Sequence, residues 1–405
     1  MKNRKGGTFR RRLLIVFLVY IVANFLFNVL FFFLSVRYLQ SIQDIPSSFN
    51  IWSRFNIREG LIKEEVNKDM KAANKEYLKA LKNLSDQEQI LKYDEKSNDF
   101  IILPMKTLKS KNDLRFVGGY CDLLLRYALT HGNDQETEFI INQTLDIIKE
   151  FEGNPKVHDI GSYNLKNNAL RTLASIMESQ VDSGKFFKDE KKIYEKIEAY
   201  YINAVKLLID KEHLQFEKDE FGVVPKNTMI SDNLLSSLLD LSLFYIDSKK
   251  DINKSLSILL SVLRSLQFKE DKLLSLKSSS QDFKRESELN LLKNEKIPLL
   301  KSNIAEILWS KKLFTDAIKF SQESCYESLI SSKDNYNSAK ISKNCFKNLY
   351  RMYEKLGDLE NAKTFYEKYK EINIPYQNDA RLKREKLRDV VLYHYFGNFG
   401  RILFP

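Results

Sequence analysis

Apolar and polar residues alternate along this chain in two regimes. From 13 to 36 they hardly alternate: "LLIVFLVYIVANFLFNVLFFFLSV" holds 19 Leu, Ile, Val or Phe among 24 residues and no charge. Beyond it, apolar residues recur at i, i+3, i+4 and i+7, the period of a helix that buries one face. This period predicts helices over 61–82, 114–130, 135–151, 162–180, 190–210, 231–247, 252–268, 297–311, 314–330, 338–356, 359–373 and 378–395. Short polar connections such as "THGND", "DSKKD" and "KLGD" join many of them as hairpins. Patterns of period two are nearly absent, so the expected fold class is all-α. The Ser- and charge-rich segment 269–296 is expected to be a mobile insertion, 37–60 a linker, and 376–405 a capping helix with an aromatic tail.

As a helix, the apolar run is about 36 Å long, enough for a hydrocarbon core of about 30 Å. It outruns a secretory h-region of about 7–15 residues, and "SVRYLQSIQD" offers no A-x-A cleavage site, so an uncleaved transmembrane anchor over 13–36 is expected. The preceding tail, 1–12, carries six basic residues and no acid, which places the N-terminus on the cytoplasmic or matrix side and the remaining residues across the membrane. Tyr20, Asn24 and Asn28 form one polar stripe at i, i+4 and i+8. Such a stripe either docks on a partner's membrane helix or satisfies itself against its own backbone. Sequons begin at Asn83, Asn142 and Asn253, but a long Asn- and Ser-rich chain acquires such triplets by chance.

The formal net charge is +11, and six of those units lie in the basic tail. The rest is a surface of mixed sign, without the one-sided basic stripe that nucleic acid requires. Cys121, Cys325 and Cys345 show no paired spacing and fall in apolar helical patterns, as buried free thiols do. The four histidines are scattered singly. Phosphate-loop, dinucleotide, zinc-protease and nucleophile-elbow motifs are absent, and no cofactor or metal is expected. The chain is therefore expected to be non-enzymatic.

Consecutive hairpins call for a repeat test. The segment "NCFKNLYRMYEKLGDLENAKTFYEKYKEINIP" resembles a tetratricopeptide repeat. Phe346, Leu349 and Tyr353 take the large positions of its first helix. Gly357-Asp358 makes the turn, Ala362 is the small crossing residue, and Tyr366 takes the large position of the second helix. Tyr350 and Tyr369 depart from the pattern, standing where small residues are usual. The preceding unit matches at Ile304, Ala305, Leu308 and Ala317, and a weaker echo lies at Ala73, Tyr77 and Ala80. The resemblance implies a right-handed α-superhelix over 61–375, because one hairpin cannot bury its own apolar face.

Such a superhelix binds extended peptide on its concave face. The repeat register places Ser302, Glu306, Trp309 and Ser310, then Asn344, Lys347, Arg351, Glu354 and Lys355, toward that groove. Trp309 is either a binding anchor or a packing residue against a neighbouring helix. The basic set Lys347, Arg351 and Lys355 either meets an acidic peptide or is simply solvated. At the C-terminus, Arg381, Lys383, Arg384, Lys386 and Arg388 lie on a basic amphipathic helix, followed by Tyr393, Tyr395, Phe396, Phe399 and Phe404.

Anchor and hairpins together are similar to a fungal family, the membrane-anchored tetratricopeptide subunits associated with the mitochondrial i-AAA protease. The segments carrying the likeness are "YLKAL", "IPLLKSNIAEILW…DAIKFSQES" and "CFKNLYRMYEKLGDLENAKTFYEK". The resemblance implies an inner-membrane adaptor with its repeats in the intermembrane space, binding unfolded polypeptides and delivering them to the protease. The chain departs from that family in starting twelve residues before its anchor, without a long presequence, so the mitochondrial placement requires that the anchor and its basic flank suffice for import. The alternatives from the residues are an outer-membrane import or chaperone-docking receptor, and a scaffold that assembles a complex in the inner or endoplasmic-reticulum membrane.

Overall fold

A long first helix, α1 (Lys5–Ile42), follows from the absence of any proline before Pro46. The structure is a computed structural model and describes residues 5–87, 102–152, 162–183, 190–216, 221–248, 251–275, 282–333, 335–374 and Val391. Among the described residues every regular element is helical, and one helix is long and apolar enough to cross a membrane, through Tyr20–Ile42. The helix thus runs six residues beyond the expected span of 13–36. The described side chains up to Phe33 are mostly exposed, whereas Ser35, Leu39 and Gln43 are buried, so its last two turns lie within the folded protein.

The expected linker 37–60 is therefore corrected. After α1, Ile45 and Phe49 enter the core, and α2 (Ile51–Leu61) follows, extended by a π-helical turn, Ile62–Val66. The sequence concealed α2 because its buried face is Ser53, Ile57, Gly60 and Leu61, with only two large apolar residues. The helix expected over 61–82 begins later, as α3 (Met70–Gln87). A short α4 (Met105–Lys111) precedes α5 (Leu114–Thr130) and α6 (Asp134–Glu152).

The chain divides into two compact units, Met1–Ser162 with Arg381–Pro405, and Tyr163–Ala380. Within the first, α2 packs on α3, α3 on α5, and α5 on α6. Gly60 lets the Tyr77 ring approach so closely that a Cβ would stand 2.4 Å from its Cε1. Arg126 is buried and donates to Glu64 at 2.7 Å and Glu65 at 3.3 Å, while Tyr77 also donates to Glu64. Asp113 caps α5 by accepting from the Phe116 amide at 3.0 Å, and also accepts from the Ser48 hydroxyl at 2.8 Å. Arg115 grips Asp44 with two hydrogen bonds of 2.7 and 2.6 Å. Those two contacts fasten the α1–α2 connection to the start of α5.

The second unit comprises α7 (Tyr163–Asp182), α8 (Glu190–Lys211), α9 (Asp232–Asp247), α10 (Ile252–Ser275), α11 (Asp282–Leu291), α12 (Ile297–Ser310), α13 (Phe314–Leu329), α14 (Tyr336–Leu356) and α15 (Leu359–Glu371). Packing runs in chain order, α7 to α8 to α9 to α10, then α10 to α12 and onward to α15. The described part of 269–296 is not a loose insertion. It continues α10, forms α11 and ends in a π-helical turn, Leu292–Lys296, in which Leu292 is buried. Lys269 pairs with Glu288 at 2.6 Å and Lys293 with Glu270 at 3.5 Å, so the charges that suggested mobility stitch helix to helix. The C-terminal helix expected over 378–395 and the aromatic tail lie outside the described residues, apart from Val391, which is buried.

Candidate functional site

The site begins with the crossings of α12, α13, α14 and α15. Ala305, Ala317, Ala339 and Ala362 are buried where these helices meet, and Ser321, Ser324, Ser328 and Ser342 extend the small-residue seam. Each small side chain lets two helices approach. The serines satisfy their hydroxyls inside the seam: Ser324 donates to the Pro298 carbonyl at 2.6 Å, and Ser328 and Ser342 share a bond of 2.7 Å. Cys325 and Cys345 are buried free thiols beside it, and burial pushes the Cys325 thiol far above its ordinary range. Lys301 is also buried, bonding Glu323 at 2.8 Å and Glu327 at 2.6 Å. Burial alone would pull its pKa down, but those two glutamates outweigh it and hold the value above that of an ordinary lysine.

Close packing of α12 on α13 and α13 on α14 brings α12 and α14 into contact with each other. Their joint surface carries most of the sequence-derived groove residues. Glu306 is exposed on α12 and accepts from Asn348 of α14 at 2.7 Å, which joins the two helix faces. Asn344, Arg351, Glu354 and Lys355 are exposed on α14, and Lys347 is half-buried. Spacings of three and four place these side chains on one face. Lys347, Arg351 and Lys355 have no carboxylate within salt-bridge distance among the described residues, in contrast to the neutralised Lys301.

Three groove residues are placed differently from expectation. Ser302 is buried, because its position on α12 faces the seam. Trp309 is half-buried, its ring centroid 4.6 Å from that of Phe314, and it packs on the large apolar core of the unit. Ser310 is exposed but turns its hydroxyl back to the Ile307 carbonyl at 2.7 Å.

The repeat-core residues Ala73, Tyr77, Ala80, Ile304, Ala305, Leu308, Ala317, Phe346, Leu349 and Ala362 are all buried. Tyr353 is half-buried and stacks on Phe365 at 5.4 Å. Tyr366 is the exception at 38% exposure: Phe365, one residue earlier, fills the core with Ala362 at i, i+3. Tyr366 instead meets Tyr350 at 5.1 Å and Tyr369 at 6.3 Å, with the Lys370 ammonium 4.3 Å from its ring centre. This surface tyrosine cluster was foreshadowed only by Tyr350 and Tyr369 occupying small-residue positions.

On α1, Tyr20 and Asn28 are exposed, and the Asn24 side chain lies outside the described residues. Among the described residues no group of three or more His, Cys, Asp or Glu is placed to hold a metal ion. The arrangement offers hydrogen-bond donors, cations without a carboxylate partner among the described residues, and aromatic faces, which suit the recognition of polypeptide backbone and carboxylates.

No family model matches the chain, and no curated protein matches it. Among solved structures the chain is similar to the one described as "Crystal structure of BtubC (BKLC) from P. vanneervenii". The two share 14% identity at a TM-score of 0.43, over 66% of this chain and 85% of that one.

Proposed function

We propose that this protein is a non-enzymatic, single-pass membrane adaptor. Its hairpins form a tetratricopeptide-like superhelix that holds extended, unfolded polypeptide and delivers it to an AAA protease of the mitochondrial inner membrane. The repeats face the intermembrane space. The link to that protease and compartment rests on the resemblance carried by the anchor and the two C-terminal hairpins. The α12–α14 face carries the binding reading: three cations without a carboxylate partner among the described residues, beside the Glu306–Asn348 bridge, on helices held together by buried alanines and serines. A solvated cationic stripe would be indifferent to the sequence of a bound peptide, whereas a groove would prefer acidic extended chains.

Two measurements test this. Replacing Lys347, Arg351 and Lys355 together with Glu is expected to weaken binding of a fluorescent acidic unfolded peptide by tenfold or more, on the order of 0.5 kcal/mol or more per charge. Unchanged anisotropy curves would remove the groove from the function. A C-terminal tag is expected to resist protease in intact mitochondria and to be digested once the outer membrane is ruptured. Glycosylated protein in microsomes would end the mitochondrial assignment.

A further inference from the structure

We propose that the outward face of α2 is a second membrane-contact surface, lying in the lipid headgroup layer beside the exit of α1 and holding the first unit against an anionic bilayer. The inference rests on the reading of α1 as a membrane anchor. The face consists of Ile51, Trp52 and Phe55, which are 67%, 68% and 58% exposed, flanked by Arg54 and Arg58.

This apolar face cannot roll inward, because the opposite face is fixed. Ser53, Ile57, Gly60 and Leu61 are buried on that side, and the absent Cβ of Gly60 admits the Tyr77 ring. Asn50 caps α2 by accepting from the Ser53 amide at 2.7 Å, and its own Nδ2 donates to the Asn83 carbonyl at 2.9 Å. The Ser53 hydroxyl donates to the Ala80 carbonyl at 3.2 Å. Three large apolar side chains are thereby held in water on a rigid helix. Tryptophan with basic neighbours is the composition of a helix that lies at a membrane interface.

Position supplies the occupant. The exposed greasy part of α1 reaches Phe33, and burial within the protein begins at Ser35, so the folded unit meets the anchor where its lipid-facing run stops. Eight residues separate Ile42 from Ile51, and Ile45 and Phe49 within them are buried, so α2 follows the buried end of α1 within the same folded unit. Charge agrees. Arg54 and Arg58 lie one turn apart and half-buried at the edge of this face, no carboxylate pairs with either among the described residues, and Glu59 on the same helix is paired with Lys63 at 3.5 Å.

The test uses the full chain reconstituted into phosphatidylcholine vesicles, with and without phosphatidylglycerol, and with bromine on the acyl chains. The chain has two tryptophans, so the difference between wild type and Trp52→Phe isolates the Trp52 signal. Flotation with the vesicles monitors α1 independently. Trp52 is expected to be quenched by brominated lipid and shielded from aqueous iodide, more so with phosphatidylglycerol. Arg54→Gln with Arg58→Gln is expected to remove most of the extra quenching and shielding that phosphatidylglycerol brings. A chain that floats while Trp52 stays open to iodide and untouched by brominated lipid overturns the proposal and leaves the anchor standing. Shielding from iodide without lipid quenching would assign the face to a protein contact and also overturn it. A chain that fails to float refutes the anchor and this surface together.

Discussion

At the scale of single residues, close approach and buried charge decide more than chemical type. Gly119 on α5 faces Pro46, and a Cβ there would stand 2.5 Å from both Cδ and Cγ of a ring that cannot rotate away. Gly119→Ala is therefore expected to destabilise the first unit by about 1–3 kcal/mol despite alanine's better helix propensity, seen as a lower midpoint in urea. Glu178 of α7 shows the opposite case, a carboxylate the fold disfavours. Burial raises its pKa above 4.5, the Tyr201 hydroxyl donates to it and offsets part of the rise, and Asp182, Asp247 and Asp240 add to it. Below pH 4.5 the group is protonated whether folded or not and costs nothing. As pH climbs from there through the raised folded pKa, the unfolded chain ionises first and stability falls. Glu178→Gln keeps an acceptor for Tyr201, so it is expected to stabilise the protein at pH 7 by about 1 kcal/mol or less, seen as a higher melting temperature. The gain should vanish in melts below pH 4.5, and a gain that persists there would contradict this account. Burial of this kind was invisible in the sequence, where Glu178 is one of many helix-surface acids.

At the scale of elements, the helical period located most boundaries to within a few residues, as for α5, α9, α13 and α15. It failed where a buried face is made of small or polar residues, as on α2, and where charges bind helix to helix, as in α10 and α11. The C-terminus of α14 was legible because its stop is chemical. Gly357 takes φ +78, its amide reaches back to the Glu354 and Tyr353 carbonyls, and the Asp358 amide bonds Tyr353 at 3.0 Å. A Cβ at Gly357 would meet nothing within 4 Å, so Gly357→Ala is expected to cost only the left-handed backbone penalty, about 1–2 kcal/mol. Thermal melts should show that loss, while Gly357→Asn should recover part of it, since Asn tolerates the same conformation. If both substitutions are silent, the cap does not limit stability. The groove register was half legible for a related reason. Spacing assigns residues to a face, but only packing decided that Ser302 faces the seam, that Trp309 rests on Phe314, and that Phe365 rather than Tyr366 is buried.

At the scale of the whole molecule, the anchor and the first folded unit share residues. Leu39, Ile45 and Phe49 belong to the core, yet they follow the apolar run directly. A chain truncated to begin at residue 34 is expected to keep its full melting temperature. One begun at Ile51 loses these three side chains, each worth about 1.5–3 kcal/mol when buried, together with the Asp44–Arg115 pair. Circular dichroism melts of the two truncations compare them directly, and equal midpoints would show that the α1 tail is dispensable. The sequence by itself determined the all-helical class, the apolar rod and the positions of most helices, because each depends on neighbours within a few residues along the chain. Only the tertiary structure decided that the rod's last turns are buried, that α2 exists with its greasy face outward, and which α12 and α14 residues reach solvent. Those outcomes depend on what lies across each helix, and no local period records the far side of a contact.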